Sequence, residues 1–202
     1  MTKIVNEIIY KLFKDIDGMK ISLAERDRLQ VMDSSLTYGE ILPETFANML
    51  EVVKPQPNEV FYDLGAGTGK AVFTAALLND WGKACGVELL PALHQTSQNL
   101  LTKFNAMPEI KKQFPDKKFS IQFLQEDFLK TDLSDADVIF MHATTFGPMI
   151  WDPLLAKLNK LKSGMRAIVN TKRLDVNYFE LINEQTWLMG WGESTVFSYR
   201  KK

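Results

Sequence analysis

Three carboxylates and a glycine loop near the middle of the chain are the residues best suited to hold a ligand. The loop reads Asp63-Leu64-Gly65-Ala66-Gly67-Thr68-Gly69-Lys70-Ala71, and Glu88 and Asp127-Phe128 follow it. A phosphate-gripping loop needs four residues between its first glycine and the Gly-Lys pair, then Ser or Thr to reach magnesium. Here three residues separate Gly65 from Gly69, and Ala71 follows Lys70. A dinucleotide loop wants its third glycine where Lys70 stands. Asp63, just ahead of the glycines, repels a pyrophosphate but welcomes an ammonium. Glu88 lies about 20 residues past the loop, where a carboxylate takes two ribose hydroxyls. Asp127 offers an acceptor for an amino group, and Phe128 an aromatic wall for a base. A ligand lying on Gly65, Ala66, Gly67 and Gly69 among these groups has a ribose, a purine, an amino-acid end and no phosphate. That is S-adenosyl-L-methionine.

These residues have to be placed by strands and turns, and the chain alternates accordingly. Ile4, Ile8, Ile9, Leu12 and Phe13 share one helical face over residues 3–16, and a second amphipathic piece spans about Leu23 to Met32. Pro43 opens a helix through Phe46, Met49, Leu50 and Val53 that Pro55 and Pro57 terminate. Glu59 to Leu64 reads as a first strand, followed by the loop and a helix through Leu77. Lys83 to Glu88 is a second strand, followed by a long helix through Phe104. Phe119 to Leu124 is a third, and the apolar Asp137 to Met141 a fourth, suited to mid-sheet. A helix from Pro153 to Leu161, ended by Gly164, leads to a fifth strand at Arg166 to Asn170. Thr186 to Met189 and Thr195 to Tyr199 pair as an antiparallel hairpin across Gly190-Trp191-Gly192. Five β-α repeats and an edge hairpin predict a doubly wound α/β sheet with its ligand beyond the carboxyl ends of the strands. Residues 1–37 are expected as an N-terminal helical cap and 38–202 as the ligand-binding domain.

Composition narrows the classes further. With 202 residues and a formal charge of −1, the chain carries no electrostatic footprint for wrapping nucleic acid. Lys111-Lys112, Lys117-Lys118 and Arg200-Lys201-Lys202 are expected as solvated faces. One cysteine, Cys85, excludes an internal disulfide framework and a cysteine-built zinc site. No run reaches the length of a membrane span, the N-terminus does not read as a signal peptide, and a reducing cytoplasm is the expected setting.

From Tyr38 to about Gly147 the sequence resembles the Dot1-type branch of seven-strand, Rossmann-like class I methyltransferases, whose best-known members methylate a lysine in the histone core. The resemblance rests on Tyr38-Gly39-Glu40, Phe61-Tyr62-Asp63-Leu64-Gly65-x-Gly67-x-Gly69, Gly86-Val87-Glu88, Asp127-Phe128, Val138-Ile139-Phe140 and Phe146-Gly147-Pro148, in order and at similar spacing. It implies that Tyr38 and Glu40 lie over the methionine part of the cofactor, that Lys70 meets its carboxylate, and that Phe146 and Trp191 wall the tunnel of the acceptor. Four positions depart from the family. His142-Ala143 stands for its paired Asn, Ile41 for its Thr, and Ser198 for a tunnel tyrosine, with Tyr199 on the opposite face of a strand.

Methyl transfer is an in-line displacement whose leaving group needs no acid, so the protein's task is alignment and exclusion of water. A lysine acceptor must arrive neutral, which an apolar channel of Phe146, Trp191 and Ile41 favours by desolvation. His142, ending the fourth strand, is the side chain best placed to accept a proton or a hydrogen bond, and it also borders the cofactor. Thr144 and Thr145 are candidates for orienting hydrogen bonds; His94 and Cys85 read as structural. No Asn-Pro-Pro-aromatic run or acidic magnesium cluster follows the fourth strand. The expected acceptor is a protein lysine. The rival readings are a small-molecule N- or O-methyltransferase of the same fold and a non-catalytic cofactor-binding module.

Overall fold

The apolar run Val60–Leu64 becomes strand β1 because both of its faces are buried: Phe61 points to one side of a sheet, Tyr62 and Leu64 to the other. In the computed structural model, which describes residues 2–202, it is followed by α4 (Lys70–Leu78), β2 (Lys83–Glu88), α5 (Pro91–Ala106), α6 (Pro108–Gln113) and β3 (Ile121–Gln125). Then come β4 (Val138–Met141), α7 (Pro148–Leu158), β5 (Arg166–Asn170), β6 (Phe179–Met189) and β7 (Gly192–Lys201). Ahead of β1 lie α1 (Thr2–Phe13), α2 (Gly18–Arg28), a 3-10 turn at Ser34–Leu36, and α3 (Pro43–Val53). The seven strands are ordered β3-β2-β1-β4-β5-β7-β6. The first five are parallel, and β7 runs antiparallel to both β5 and β6. The chain reverses its direction of travel between β1 and β4, which opens a crevice at their carboxyl ends.

One face of the sheet is covered by α1, α3, α4 and α5, whose Ile9, Leu12, Phe46, Leu50, Phe73 and Phe104 form a continuous core. Phe46 is fully buried between Phe61 and Phe140, at ring distances of 6.0 and 4.9 Å. The other face packs Leu154 and Leu158 of α7 with Phe146, Phe197 and Tyr199. The first helix therefore buries its Ile/Leu stripe in the same core as the sheet.

Several elements differ from the sequence reading, each for a local reason. The second helix does not bury the expected face. It buries Gly18, Ser22 and Glu25, spaced one and two turns apart, and leaves Leu23 and Met32 in solvent at 54% and 94% exposure. There are not five β-α repeats, because residues 126–137 link β3 to β4 by turns alone. Asp127 and Asp132 accept from Leu129 N and Ser134 N, bonds that hold the backbone out of a helix. The helix α7 starts at Pro148 rather than Pro153 and is over by Leu158; Gly164 instead makes a left-handed turn before β5. Helix α6, started by Pro108, is an addition to the sequence reading. The hairpin is longer than expected on both sides, since β6 is an edge strand whose exposed residues mask its periodicity. Two of the lysines expected on solvated faces are withdrawn from solvent, Lys117 partly and Lys201 fully. Lys117 reaches Asp80 at 3.2 Å over the rings of Phe114 and Phe119, and Lys201 is 9% exposed against Tyr178 and Phe179.

Candidate active site

The crevice at the carboxyl ends of β1, β2 and β4 is a cleft of about 180 Å³. Tyr38, Glu40, Asp63, Gly65, Ala66, Gly67, Lys70, Glu88, Asp127, Phe128, His142 and Phe146 all line it, as does Ile41. Two of the sequence-derived residues do not. Gly69 faces away, against Phe123 and Phe73, and Trp191 lies at the rim.

The loop after β1 turns on glycines in the left-handed region, Gly65 at φ 86° and Gly67 at φ 56°. Its amide groups are used internally. Gly65 N and Ala66 N donate to Val87 O at 2.9 and 3.0 Å, Gly67 N donates to Glu88 Oε2 at 2.7 Å, and Gly69 N donates to Ala66 O at 2.8 Å. With these four N–H groups consumed, the turn between Gly65 and Gly69 does not form the nest of free amides that wraps a phosphate.

The three carboxylates differ in environment. Asp63, at the end of β1, is 4% exposed and makes no side-chain hydrogen bond among the described residues. Burial, and then the nearby Glu88 carboxylate, push its pKa up to about 8. Glu88 is buried at the end of β2 and accepts from Gly67 N and, at 2.8 Å, from Leu90 N, the cap of α5. Burial raises its pKa, opposed by these backbone bonds. It is thus a helix cap and a cleft carboxylate at once. Asp127 accepts from Leu129 N at 2.9 Å and stands 3.9 Å from Lys130.

Above the loop, Tyr38, Glu40, Thr68 and Lys70 form one network. The Tyr38 hydroxyl donates to Glu40 and lies 2.9 Å from Thr68 Oγ1, and Lys70 forms an ion pair with Glu40. Burial and the Glu40 carboxylate hold the Tyr38 phenol far above its ordinary pKa, so it remains a donor. The resemblance implies that Lys70 serves a ligand carboxylate; in this structure its partner is Glu40. The tyrosine ring is wedged between two glycines. A Cβ on Gly67 would lie 2.7 Å from Tyr38 Cε2, and one on Gly18 2.1 Å from its hydroxyl. Gly18 and Thr68 are additions to the residues drawn from the sequence; Gly18 carries no local signal, since its role is set by a ring 20 residues away.

On the β4 side, Phe146 stacks on Phe128 at 5.5 Å, joining the two expected walls into one. His142 is largely buried, and its pKa is lowered to about 4 by desolvation, so the ring is neutral at physiological pH. The neutral ring accepts a hydrogen bond on one nitrogen and does not hold a second proton. Trp191 meets it edge-on, with centroids 4.3 Å apart. Trp191 is also close enough to Gly39 that a Cβ there would lie 3.1 Å from its ring. Thr144 Oγ1 pairs with Thr171 Oγ1 at 2.8 Å. Ser198 and Tyr199 face opposite sides of β7, as expected. His94 borders Phe123 O and Gln98 in a structural role, and Cys85 is buried.

The sequence profile of the family described as "Histone methylation protein DOT1" matches residues 26–188, most of the chain. The chain belongs to the DOT1 family. It is 30% identical over 159 residues to "Histone-lysine N-methyltransferase, H3 lysine-79 specific" of Caenorhabditis elegans, which covers 76% of this chain and 16% of that protein. It is 32% identical over 120 residues to a "Protein-lysine N-methyltransferase" of Saccharolobus islandicus, covering 59% of this chain and 66% of that one. The chain thus spans less than a fifth of the Caenorhabditis elegans relative. Among solved structures, an RNA methyltransferase from Salinibacter ruber in complex with S-adenosyl-L-homocysteine superposes with a TM-score of 0.59 at 21% identity, over 78% of this chain and 90% of that one. That likeness establishes a Rossmann-like class I methyltransferase fold. The family match includes the Tyr38-Gly39-Glu40 region, which in this structure becomes the roof of the cleft.

Proposed function

We propose that this chain is an S-adenosyl-L-methionine-dependent methyltransferase acting on the side-chain amine of a protein lysine. The observation that carries the reading is the cleft's charge pattern: a buried Asp63, without a side-chain hydrogen bond among the described residues, beside a glycine loop in which the amides of Gly65, Ala66, Gly67 and Gly69 are already bonded. A cation-bearing ligand fits such a site, because its ammonium can pair with the Asp63 carboxylate. Asp63 would hold the ligand's ammonium, Glu88 its ribose hydroxyls, and Asp127 the amino group of its base, with Phe128 as a wall. Glu40 and Lys70 would bracket its amino-acid end. When bound, S-adenosyl-L-methionine supplies a methyl group on a sulfonium sulfur.

Phe146 and Ile41 are buried apolar walls, and a lysine entering between them loses solvation and with it its proton. Neutral His142 offers a hydrogen-bond acceptor and adds no positive charge to the channel. A protein acceptor is supported by the relatives from Caenorhabditis elegans, a histone-lysine N-methyltransferase, and from Saccharolobus islandicus, a protein-lysine N-methyltransferase. The single buried Cys85, with no second cysteine to pair, supports the reducing cytoplasm as its setting.

The test is transfer of a labelled methyl group from S-adenosyl-L-methionine into an extract of the source cells, followed by mass spectrometry. The expected product is methyl-lysine in protein. Label confined to small molecules would overturn the acceptor assignment, and no label at all the enzymatic one.

A further inference from the structure

At the adjacent ends of β4 and β5 three polar atoms have no partners among the described residues. The last paired residues are Met141 and Val169, and the next in each strand are His142 and Asn170. Both follow the alternation of Phe140 and Ile168 and so project to the face covered by α3. Asn170 is completely buried, yet neither Oδ1 nor Nδ2 has a hydrogen-bond partner, and His142 Nε2 is buried and unpaired in the same way. Buried polar groups in folded proteins are overwhelmingly paired, so a neighbouring set of three calls for an occupant. Asn170 is also held in place at a conformational cost. The next residue, Thr171, sits at φ 70°, an unusual region for a β-branched residue. Its hydroxyl bonds Thr144 Oγ1 at 2.8 Å and approaches Ser194 Oγ to 3.4 Å, tying β5 to the loop after β4 and to β7.

Resting on the reading of this site as a lysine methyltransferase, we propose that Asn170 is a positioning residue which, with His142, holds the acceptor amine, and that Trp191 is the movable cover of this spot. A neutral primary amine has two N–H bonds and one lone pair. The two acceptors, His142 Nε2 and Asn170 Oδ1, take the two N–H bonds and leave the lone pair free. With its ring proton on Nδ1, neutral His142 presents an acceptor at the buried Nε2. In the transfer the lone pair forms the new N–C bond while the C–S bond breaks, its electrons leave on sulfur, and the surplus proton of the resulting ammonium goes to water.

Trp191 suits the role of a cover. It is 42% exposed, rests edge-on against His142, and belongs to the two-residue Gly190-Trp191 turn between β6 and β7, followed by Gly192 at φ 131°. Rotation about its own side-chain torsions would move the indole off His142 while the turn stays packed against Glu40.

The experiment uses the full chain saturated with S-adenosyl-L-homocysteine and titrated with n-butylamine as the probe, with n-butanol as control, followed by NMR of side-chain amide and imidazole nitrogens. Signals of Asn170 and His142 are expected to shift with the amine and not with the alcohol. The Asn170→Leu variant is expected to lose that response and to slow methyl transfer at least about 10-fold. It should keep its affinity for S-adenosyl-L-homocysteine within about twofold and show no lower Tm, because a buried unpaired amide has been removed. Asn170→Ser, which retains an acceptor, is expected to recover part of both losses and serves if the leucine variant does not fold. Unaltered butylamine response and turnover in both variants would overturn the proposal and assign the spot to a buried structural water. Failure of the wild-type chain to methylate protein would instead remove the functional reading, leaving the amine titration to judge Asn170 by itself.

Discussion

Replacing Asp63 with asparagine separates the stability of the fold from its capacity for a cationic ligand. In the folded chain the Asp63 pKa stands at about 8 against 3.8 for an ordinary aspartate. At pH 7 the unfolded chain carries this carboxyl ionised and the folded chain carries it protonated, so folding must take up a proton. The cost spans about 3 pH units at about 1.4 kcal/mol each, or about 4 kcal/mol. The sign follows from the raised pKa of an acid: the folded state binds more protons between about pH 4 and 8, so stability falls as pH rises through that window. An asparagine at this position needs no proton. The ligand-free Asp63→Asn variant should therefore unfold about 10 °C higher at pH 7, with the difference vanishing as pH approaches 4. The same change removes the counter-charge for the ligand's ammonium, a charge-assisted hydrogen bond of about 2 kcal/mol, or roughly 30-fold in affinity. Thermal unfolding from pH 4 to 8, with and without S-adenosyl-L-homocysteine, reads both effects. Calorimetry of wild-type binding at pH 6.5 in two buffers of different ionisation enthalpy should show about one proton released per site. A variant no more stable than wild type at pH 8, or one that binds the ligand equally well, would refute the reasoning.

Gly67→Ala is expected to cost about 2 kcal/mol through its positive φ and to displace the Tyr38 ring that its Cβ would strike, lowering ligand affinity more than core stability. Thermal unfolding and ligand titration of the variant check the two effects. The His142 imidazole should stay neutral down to about pH 4 in a ¹⁵N NMR titration. Because its folded pKa lies below the unfolded value, its contribution to stability is present above about pH 6.5 and is lost as pH falls toward 4. Phe46→Ala removes a fully buried ring lying against Phe61 and Phe140 and should cost about 4 kcal/mol, read by urea unfolding.

The parts of the site legible from sequence are those that depend on short stretches of chain. The loop of Gly65, Gly67 and Gly69 is recognisable because positive φ selects glycine, and all three glycines adopt it. Asp63 and Glu88 are recognisable because each ends an apolar strand, and strand ends define the cleft of a doubly wound sheet. Breakers act locally too: Pro55 and Pro57 follow α3, whose last residue is Val53. The connection from β3 to β4 escapes such a reading because a turn built on Asp127 and Asp132 depends on which side chains capture nearby amides, and hydrophobic period is silent on that.

By itself the sequence determined the order of the strands along the chain, the class of ligand that the cleft can take, and the identity of the groups around it. Only the tertiary structure decided which of those groups meet. It paired Lys70 with Glu40, wedged Tyr38 between Gly18 and Gly67, and laid Trp191 against His142 rather than along the cleft. It also brought the ends of β4 and β5 together, leaving Asn170 and His142 side by side with unpaired atoms. Periodicity and backbone preference act over a few residues, whereas these contacts join positions from 20 to 49 residues apart, as with Gly18 and Tyr38 or His142 and Trp191. They are set by how whole helices and strands pack, which no short stretch of sequence encodes.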